Sequence, residues 1–478
     1  MMEMVWLGLH LVFVMGLGYY LATALQWYHY RVKRVVLHFH KPQWHVFFLI
    51  IPVVAYYAVG VYVWFYVIVA FFPMLVLWAR KLDKPLVFTA RVKRFFAFLF
   101  FATLFQDVLC LATAACEQFG VLMPLIATVL LSSAYEKLLF QGFYKKAKTK
   151  LAARPSLKIV AITASYGKTS MKNVLAHILG ETFVCYATPR SVNTLGGLVQ
   201  DVNTALPEDV QVYIAEAGAR EAGDILEITR FLEPHVVLVG EIGPQHIEYF
   251  KTLEVVRNTK MELVYSLRLE KAFVHHSTKA MPSETVCVFG TECLHVEATL
   301  EGTRFEAMLE GEKRTFETKL LGAFHATNLI ACIHVARHFG LSFEHIAQRI
   351  ASLEPVPHRL CRMDAGGKII LDDSFNGNFE GMRASYELVR QYQGRKVLVT
   401  PGIIESTKEE NTALAKVMNE VFDVVMVTGQ VNAATLMSQL KKPEVHLLKE
   451  KSQMESLLAM HTRAGDLILF SNDAPSFI

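Results

Sequence analysis

The stretch LKIVAITASYGKTS, residues 157–170, decides the fold of the last two thirds of the chain. LKIVAIT is a short aliphatic run typical of a buried strand, and KTSMKNVLAHILGE, which starts at Lys168, has the apolar spacing of an amphipathic helix. The loop between them can hold phosphate groups, because its N–H groups and the helix N-terminus point at the anion. Lys168 would then reach the β and γ phosphates of a nucleotide, and Thr169 would bind Mg²⁺. The residues expected at the phosphates are Ser165, Gly167, Lys168, Thr169 and Ser170.

The alternation of strand and helix patterns continues downstream of this loop. VQVYIAEAG (210–218) and HVVLVGEI (235–242) predict further buried strands, with the helical pattern AGDILEITRFL between them. This succession is typical of a parallel sheet covered by helices on both faces. Alternating residues between about 285 and 320, starting at VCVFG, predict a small antiparallel patch before a helix over 327–339.

A second α/β unit begins near residue 361. Its predicted strands are KIILDD, RKVLVTPG, DVVMVTG, EVHLLK and DLILFS, separated by helical stretches. A unit of about 115 residues fits a Rossmann-like domain, and EPVPHRL (354–360) is the predicted hinge. We therefore expect an α/β protein with a phosphate-binding central domain at 151–357 and a Rossmann-like C-terminal domain at 358–478.

The first 150 residues have a different composition. The whole chain has 478 residues, of which 53% are hydrophobic and 19% charged, whereas about 25% charged is usual for a soluble protein. Long apolar runs lie at about 4–28, 44–79, 95–116 and 120–140. As one helix, 44–79 would be about 54 Å long, longer than a bilayer, so two spans with a turn near Gly60 are predicted. The expectation is a helical membrane region at 1–150 with about five transmembrane helices.

Charge predicts the orientation of this region. The first 150 residues carry 15 Lys and Arg against 5 Asp and Glu, although the whole chain has a net charge of only +4. Five spans put the basic loops at 31–41, 80–94 and 145–150 on one side, which the positive-inside rule makes cytoplasmic. We therefore expect a multi-pass protein of the inner (cytoplasmic) membrane, with the α/β domains in the cytoplasm. Its partner would be the lipid bilayer and not a nucleic acid.

Two further features concern an acidic residue in the apolar region and the cysteines. Asp107 lies inside an expected span, where a charge is costly, so it is either a functional residue or a packing contact between helices. The seven cysteines form no CxxC pair and are expected to be free thiols in a reducing compartment.

The motifs together resemble the Mur ligase family, ATP-dependent enzymes that join amino acids to cell-wall precursors. The loop has that family's xGKT[ST] form. The segments YIAEAG and GPQHIE are similar to the family's metal-binding segments, which implies Glu216 and His246 as ligands. RNTKME resembles the segment whose lysine is carbamylated and bridges to Mg²⁺, which implies Lys260. The resemblance makes Lys168, Lys260 and His246 the expected catalytic residues.

Three later segments extend the resemblance to the nucleotide. GAFHATNLIA is similar to the family's helix start that contacts adenine through Asn328. The PHR turn implies that Arg359 reaches the ATP phosphates, and DDSFNGN implies that Asp373 contacts ATP at the domain junction. ATP and Mg²⁺ are therefore the expected cofactors.

DDSFNGN and TPRSVNTLGG (188–197) point to the branch of the family that adds D-alanyl-D-alanine. This resemblance implies UDP-MurNAc-tripeptide and D-alanyl-D-alanine as substrates, an acyl-phosphate intermediate, and release of ADP and phosphate. Membrane enzymes of cell-wall precursor synthesis are further expected partners. The substrate-binding residues implied are Thr188, Asn193, Ser374, Asn376 and Asn378.

The chain also departs from the family pattern. Ala164 replaces the first glycine of the loop, Tyr166 replaces a small polar residue, and asparagines of the family are replaced at Ser191, Thr194 and His325. Membrane spans stand where soluble members have a domain for the UDP part of the substrate. Two alternatives stay open, a related ligase with a different cell-envelope or peptide acceptor, and a membrane scaffold that binds ATP without turnover.

Overall fold

The structure is a computed structural model that describes residues 2–28, 30–37, 41–82, 84–113, 120–190, 192–244, 250–375, 377–404, 406–429, 431–448 and 453–472. It divides into two compact units, residues 1–143 and 144–478. The predicted site residues His246 and Asn376, and the replaced position Ser191, lie outside the described residues.

The first unit is helical. Its helices are α1 (Met2–Trp27), α2 (Val32–Leu37), α3 (Pro42–His45), α4 (Ile51–Ala58), α5 (Val63–Tyr66), α6 (Phe72–Arg80) and α7 (Ala90–Thr113), with π-helical turns at Val46–Ile50 and Val67–Phe71 and a 3₁₀ turn at Gly60–Tyr62. A longer helix, α8 (Leu122–Ala152), includes residues of both units. The predicted turn near Gly60 is confirmed, because the chain there adopts a positive φ of 60° that glycine tolerates best.

Four helical segments are long and apolar enough to cross a membrane: Trp6–Trp27, Val63–Arg80, Ala90–Thr113 and Leu122–Ala152. The remaining predicted span is the shorter apolar segment Pro42–Ala58. Its 17 residues would be about 26 Å long, against a hydrocarbon core of about 30 Å. Four of the five predicted spans therefore correspond to helices that are long and apolar enough to cross a membrane.

Asp107 makes a contact between two helices of this unit. It is 6% exposed, and its Oδ1 lies 2.8 Å from Nδ1 of His10 on α1. Cys110, one turn further along α7, is disulfide-bonded, so the prediction of free thiols is wrong there. Cys110 lies at the end of α7 opposite to the basic loop at 80–94, and the predicted orientation would put this end outside the reducing compartment. The other cysteines that the structure describes are free: Cys185, Cys287, Cys293, Cys332 and Cys361.

The second unit contains the predicted parallel sheet. Its elements are β1 (Lys158–Thr163), α9 (Lys168–Leu179), β2 (Cys185–Ala187), α10 (Leu195–Thr204), β3 (Val212–Glu216), α11 (Asp224–Leu232), β4 (Val236–Val239), α12 (Leu253–Met261), a 3₁₀ turn at Glu262–Tyr265, β5 (Lys271–His275), a 3₁₀ turn at His276–Thr278 and β6 (Val286–Phe289). The strand order is β2-β3-β1-β4-β5-β6, with every pair parallel. Loops after β1, β3 and β4 therefore meet at one edge of the sheet.

The antiparallel patch is confirmed with one correction. It consists of β7 (Cys293–Ala298), β8 (Thr303–Leu309) and β9 (Glu312–Thr318), followed by α13 (His325–His338) and α14 (Phe343–Ala351). VCVFG was expected in this patch but forms β6, which pairs in parallel with β5. Alternation predicts a strand without predicting its partner, and Phe289 of this strand packs in the core of the parallel sheet.

The C-terminal sheet contains all five predicted strands. Its elements are β10 (Cys361–Ala365), β11 (Lys368–Asp373), α15 (Phe379–Arg390), β12 (Lys396–Thr400), α16 (Lys408–Val421), β13 (Val424–Thr428), α17 (Ala433–Gln439), β14 (Glu444–Leu448), α18 (Met454–His461) and β15 (Leu467–Ser471). The order is β10-β11-β15-β12-β13-β14, and only the unpredicted β10 is antiparallel. In the predicted hinge, His358 and Leu360 have positive φ angles of 64° and 52°.

Candidate active site

The predicted phosphate loop connects β1 to α9 as expected. Gly167 caps the helix with a φ of 74°, and a Cβ on it would lie 2.8 Å from Nδ2 of Asn328, so this position requires glycine. Ser165 Oγ donates to the carbonyl of Gly243 at 3.0 Å and accepts from its N–H at 2.9 Å. These contacts hold the loop between α13 and the segment that follows β4.

The two replaced residues of the loop are accommodated. Ala164 is buried and its φ is not positive, so its methyl group causes no backbone strain. The ring of Tyr166 packs directly against Gly243. The replacements therefore leave the strand–loop–helix geometry intact.

Lys168 turns back across the loop. Its Nζ donates to the carbonyls of Ala164 at 2.8 Å and Ser165 at 3.1 Å. Burial lowers the pKa of this ammonium to about 8, an effect that Arg359 strengthens and Glu216 opposes. The cation is thus held where phosphate oxygens would approach the helix N-terminus.

Glu216, the last residue of β3, forms hydrogen bonds with polar side chains from separate parts of the fold. It is 1% exposed, and its two carboxylate oxygens accept from Thr169 Oγ1 at 2.9 Å and Asn193 Nδ2 at 3.0 Å. Its backbone N–H donates to Thr188 Oγ1 at 3.3 Å. A buried carboxylate beside a hydroxyl offers the hard oxygen ligands that Mg²⁺ prefers. The donor set therefore fits the expected metal.

Lys260 lies at the end of α12 and is 3% exposed. Burial, with the nearby positive charge of Lys168, holds its pKa well below the ordinary value, while Glu216 and Asp224 act in the opposite direction. This shift increases the share of the neutral amine, which is the form able to react with CO₂.

The residues after the hinge approach the same place from the C-terminal sheet. Arg359 Nη1 donates to the carbonyl of Phe375 at 2.9 Å. Burial lowers the pKa of Arg359, and the carboxylates of Asp373 and Glu216 both act to raise it. Asp373 is 2% exposed and accepts from Ser385 Oγ at 2.6 Å. The structure therefore brings Arg359 close enough to Lys168 to affect its pKa, and Asp373 close enough to Arg359 to affect that of the guanidinium.

A cavity of about 180 Å³ opens beside the start of α9. Its lining includes Ser170, His177, His325, Leu353, Val356 and Arg359. Burial lowers the pKa of His325 to about 4, so the ring is neutral at physiological pH. Ser170 lies next to the phosphate loop, and Leu320, Leu353 and Val356 give one part of the cavity an apolar surface of the kind that a heterocyclic base can contact.

Other predicted residues make contacts within their own segment. Ser374 hydrogen-bonds to Asp372, and Asn378 Oδ1 caps α15 by accepting from Gly381 N–H at 2.8 Å. Thr194 likewise caps α10. These contacts orient the loops without joining them to the phosphate loop.

Lys172 is a site residue that the sequence analysis missed. It is 1% exposed, and its Nζ donates to the carbonyls of Thr188 and Arg190 and lies 3.9 Å from Glu216 Oε2. The sequence feature that could have identified Lys172 is its position beside the apolar residues Met171 and Val174 on the buried face of α9. A lysine at such a position must have partners, and here they belong to the site.

Comparison with known proteins agrees with this geometry. Residues 162–336 match the Mur ligase middle domain, and residues 358–472 match the Mur ligase glutamate ligase domain. The UDP-N-acetylmuramoyl-tripeptide–D-alanyl-D-alanine ligase of Bacillus subtilis is 25% identical over 334 residues, which cover 66% of this chain and 72% of that enzyme. The Escherichia coli enzyme of the same name is 26% identical, over 54% of this chain and 61% of its own length.

A solved structure shows the same fold. The MurF ligase of Thermotoga maritima, in complex with ADP, superimposes with a TM-score of 0.61 at 24% identity, covering 70% of this chain and 80% of that one. The two matched domains carry the phosphate loop, Glu216, Lys260, Arg359 and Asp373 described above. The chain therefore belongs to the Mur ligase family of ATP-dependent, peptide-bond-forming enzymes, and MurF ligases are among its relatives.

Proposed function

We propose that this protein is an ATP-dependent ligase of the MurF type, which adds D-alanyl-D-alanine to UDP-MurNAc-tripeptide in peptidoglycan precursor synthesis. The observation that carries the proposal is the convergence of Lys168, Thr169 and Glu216 at the start of α9. The D-alanyl-D-alanine ligases found among the relatives supply the substrate class.

The reaction needs an activated acyl group. A carboxylate oxygen of the tripeptide attacks the γ-phosphorus of ATP, ADP leaves, and the acyl phosphate forms. The amine of D-alanyl-D-alanine then attacks the acyl carbon, phosphate leaves, and the nitrogen loses a proton to give the peptide bond. Lys168 and Arg359 stabilise the negative charge that gathers on the transferring phosphoryl group, which is the main catalytic contribution in phosphoryl transfer.

Thr169 and Glu216 would hold Mg²⁺, which supplies charge screening at the phosphate oxygens. We assign His246 and a carbamylated Lys260 to the same metal centre. Carbamylation joins the Lys260 nitrogen to CO₂ with loss of a proton, and the low pKa of this buried amine supports it.

Other assignments follow the family pattern. Ser165, Gly167 and Ser170 complete the phosphate site, and Asn328 and Asp373 complete the ATP site. Asn328 already lies against Gly167, which supports its place beside the nucleotide. The acceptor site is assigned to Thr188, Asn193, Ser374, Asn376 and Asn378.

The membrane region completes the proposed organisation. We assign residues 1–150 to about five spans of the inner membrane, residues 151–357 to the ATP-binding domain and residues 358–478 to the C-terminal domain, with both of the latter in the cytoplasm. The four apolar helices and the basic loops support this arrangement. Such an anchor would keep the ligase beside the membrane enzymes that consume its product.

Phosphate release by the detergent-purified full chain tests the proposal. We expect release that requires ATP, Mg²⁺, UDP-MurNAc-tripeptide and D-alanyl-D-alanine together, and that Lys168→Ala abolishes. Ligation of a different acceptor by the same ATP-dependent reaction would replace the substrate assignment. ATP binding without turnover for every amine and acceptor tested would identify the scaffold alternative instead.

A further inference from the structure

A cluster of metal-ligating side chains lies on the C-terminal sheet, apart from the candidate active site. Glu444 and His446 lie two residues apart on the edge strand β14 and so share one face, and His461 is the last residue of α18. Glu444 Oε1 lies 2.8 Å from His446 Nε2 and 3.3 Å from His461 Nδ1. One ligand atom from each of the three residues lies within 4.8 Å of the other two.

These separations fit the tetrahedral coordination of a cation. Ligands held at about 2.0–2.1 Å from a tetrahedral Zn²⁺ are about 3.3 Å from one another. The two histidine–carboxylate distances lie at or slightly below that spacing, so small side-chain rotations would open the centre. Two imidazoles and one carboxylate form a common zinc ligand set that leaves a fourth position for water.

The surroundings of the cluster also favour a cation. The rings of His446 and His461 are in contact, with centroids 3.8 Å apart. Two imidazoles bound to one tetrahedral Zn²⁺ have centroids about 5 Å apart, so metal binding would move the rings apart by about 1 Å. His461 ends a helix, where the helix dipole favours positive charge. Arg395 Nη2, the cation that competes there, lies 3.7 Å from Glu444 Oε2 and leaves Oε1 to the histidines. A second carboxylate, Asp466, also engages Arg395.

We propose that Glu444, His446 and His461 form a Zn²⁺ site that joins the edge strand β14 to α18. Glu444 begins β14, whereas Asp373 ends β11, and the intervening pairs β11–β15, β15–β12, β12–β13 and β13–β14 are all parallel. The zinc site therefore lies at the end of the sheet where these parallel strands begin, whereas Asp373 lies at the end where they finish. Its role is to stabilise the C-terminal domain and not to take part in ligation.

Zn²⁺ titration of the metal-free full-length protein in detergent tests the site, with bound zinc measured by elemental analysis. His446→Asn and His461→Asn should each weaken binding of one zinc equivalent by at least about 100-fold, since even outer-sphere changes cost about 10–100-fold. His345→Asn is the matched control, because this histidine pairs with the carboxylate of Glu181 in a comparable half-buried position. Zn²⁺ should raise the unfolding temperature of the wild type and the control but not of the other two variants.

Chemical modification provides a second measurement that needs no variant. Zn²⁺ should protect His446 and His461 of the wild type from diethyl pyrocarbonate, whereas the modification of His345 should be the same with and without Zn²⁺. Equal zinc stoichiometry in all four proteins, or equal modification of the three histidines with and without Zn²⁺, would overturn the proposal. Mg²⁺, which prefers oxygen ligands, should give no protection.

Discussion

Thr169 Oγ1 donates a hydrogen bond of 2.9 Å to Oε2 of Glu216 and thereby joins the phosphate loop to the end of β3. The hydroxyl and the carboxylate are thus set side by side before any ligand arrives. Because Glu216 is 1% exposed, the hydrogen bonds of Thr169 and Asn193 limit the orientations open to its carboxylate. A pre-positioned carboxylate contributes to catalysis without having to reorganise during the reaction.

Glu216→Gln tests the charge of this group. The amide keeps an oxygen that can accept from Thr169 but loses the negative charge, so we expect kcat of phosphate release to fall about 100- to 1,000-fold. The Mg²⁺ concentration needed for half-maximal activity should rise at the same time. Glu227→Gln, on the exposed face of α11, is the matched control and should leave both parameters unchanged. An unchanged Mg²⁺ requirement in Glu216→Gln would remove Glu216 from the metal centre.

The phosphate loop was predictable because one short segment contains its strand, its loop and its helix start. The contacts of Glu216 were not, since Thr169, Asn193 and Glu216 meet only when strands distant in sequence pair in parallel. The placement of VCVFG failed for the same reason, because a strand pattern does not specify which neighbour it joins. The predicted site residues rest on family resemblance, and the structure added Lys172, whose partners are backbone carbonyls.

Lys172→Met should destabilise the protein and disturb the site together. The thioether fills a similar volume but leaves the carbonyls of Thr188 and Arg190 without their donor, and each such loss costs about 1–3 kcal/mol. We therefore expect the free energy of unfolding to fall by about 2–4 kcal/mol, measured by chemical denaturation of the full chain in detergent. Lys416→Met, at an exposed position of α16, is the control. Unchanged stability in Lys172→Met would mean that these carbonyls find other donors.

The lowered pKa of Lys168 predicts that ATP binding weakens at alkaline pH. Its pKa of about 8 lies below the ordinary value of 10.5, so the ammonium is charged below pH 8 and increasingly neutral above it. ATP phosphates favour the charged form, so ATP affinity should fall by up to about tenfold per pH unit above pH 8, with proton uptake on binding. The effect of Lys168 on folding stability has the opposite sign. Between about pH 8 and 10 the unfolded chain retains the proton that the folded chain has lost, so the free energy of unfolding rises with pH over this range.

Calorimetric titration in buffers of different ionisation enthalpy measures this proton uptake. Lys168→Arg is the informative variant, because guanidinium stays charged over the whole range and should make ATP affinity independent of pH between 8 and 10. The same slope in wild type and Lys168→Arg would assign the pH dependence to another group.

The His10–Asp107 pair predicts how the first unit is stabilised. Asp107→Leu removes the partner of His10 Nδ1 and leaves both ring nitrogens of this buried histidine without one, since Nε2 already has no hydrogen-bond partner among the described residues. Leaving a buried polar group without its hydrogen-bond partner costs about 1–3 kcal/mol, whereas replacing both partners by apolar groups can be nearly neutral. We therefore expect Asp107→Leu to lower the unfolding temperature in detergent and His10→Phe/Asp107→Leu to restore it. Restored stability with normal ligase activity would assign Asp107 to helix packing, whereas restored stability with lost activity would make it a functional residue of the membrane region.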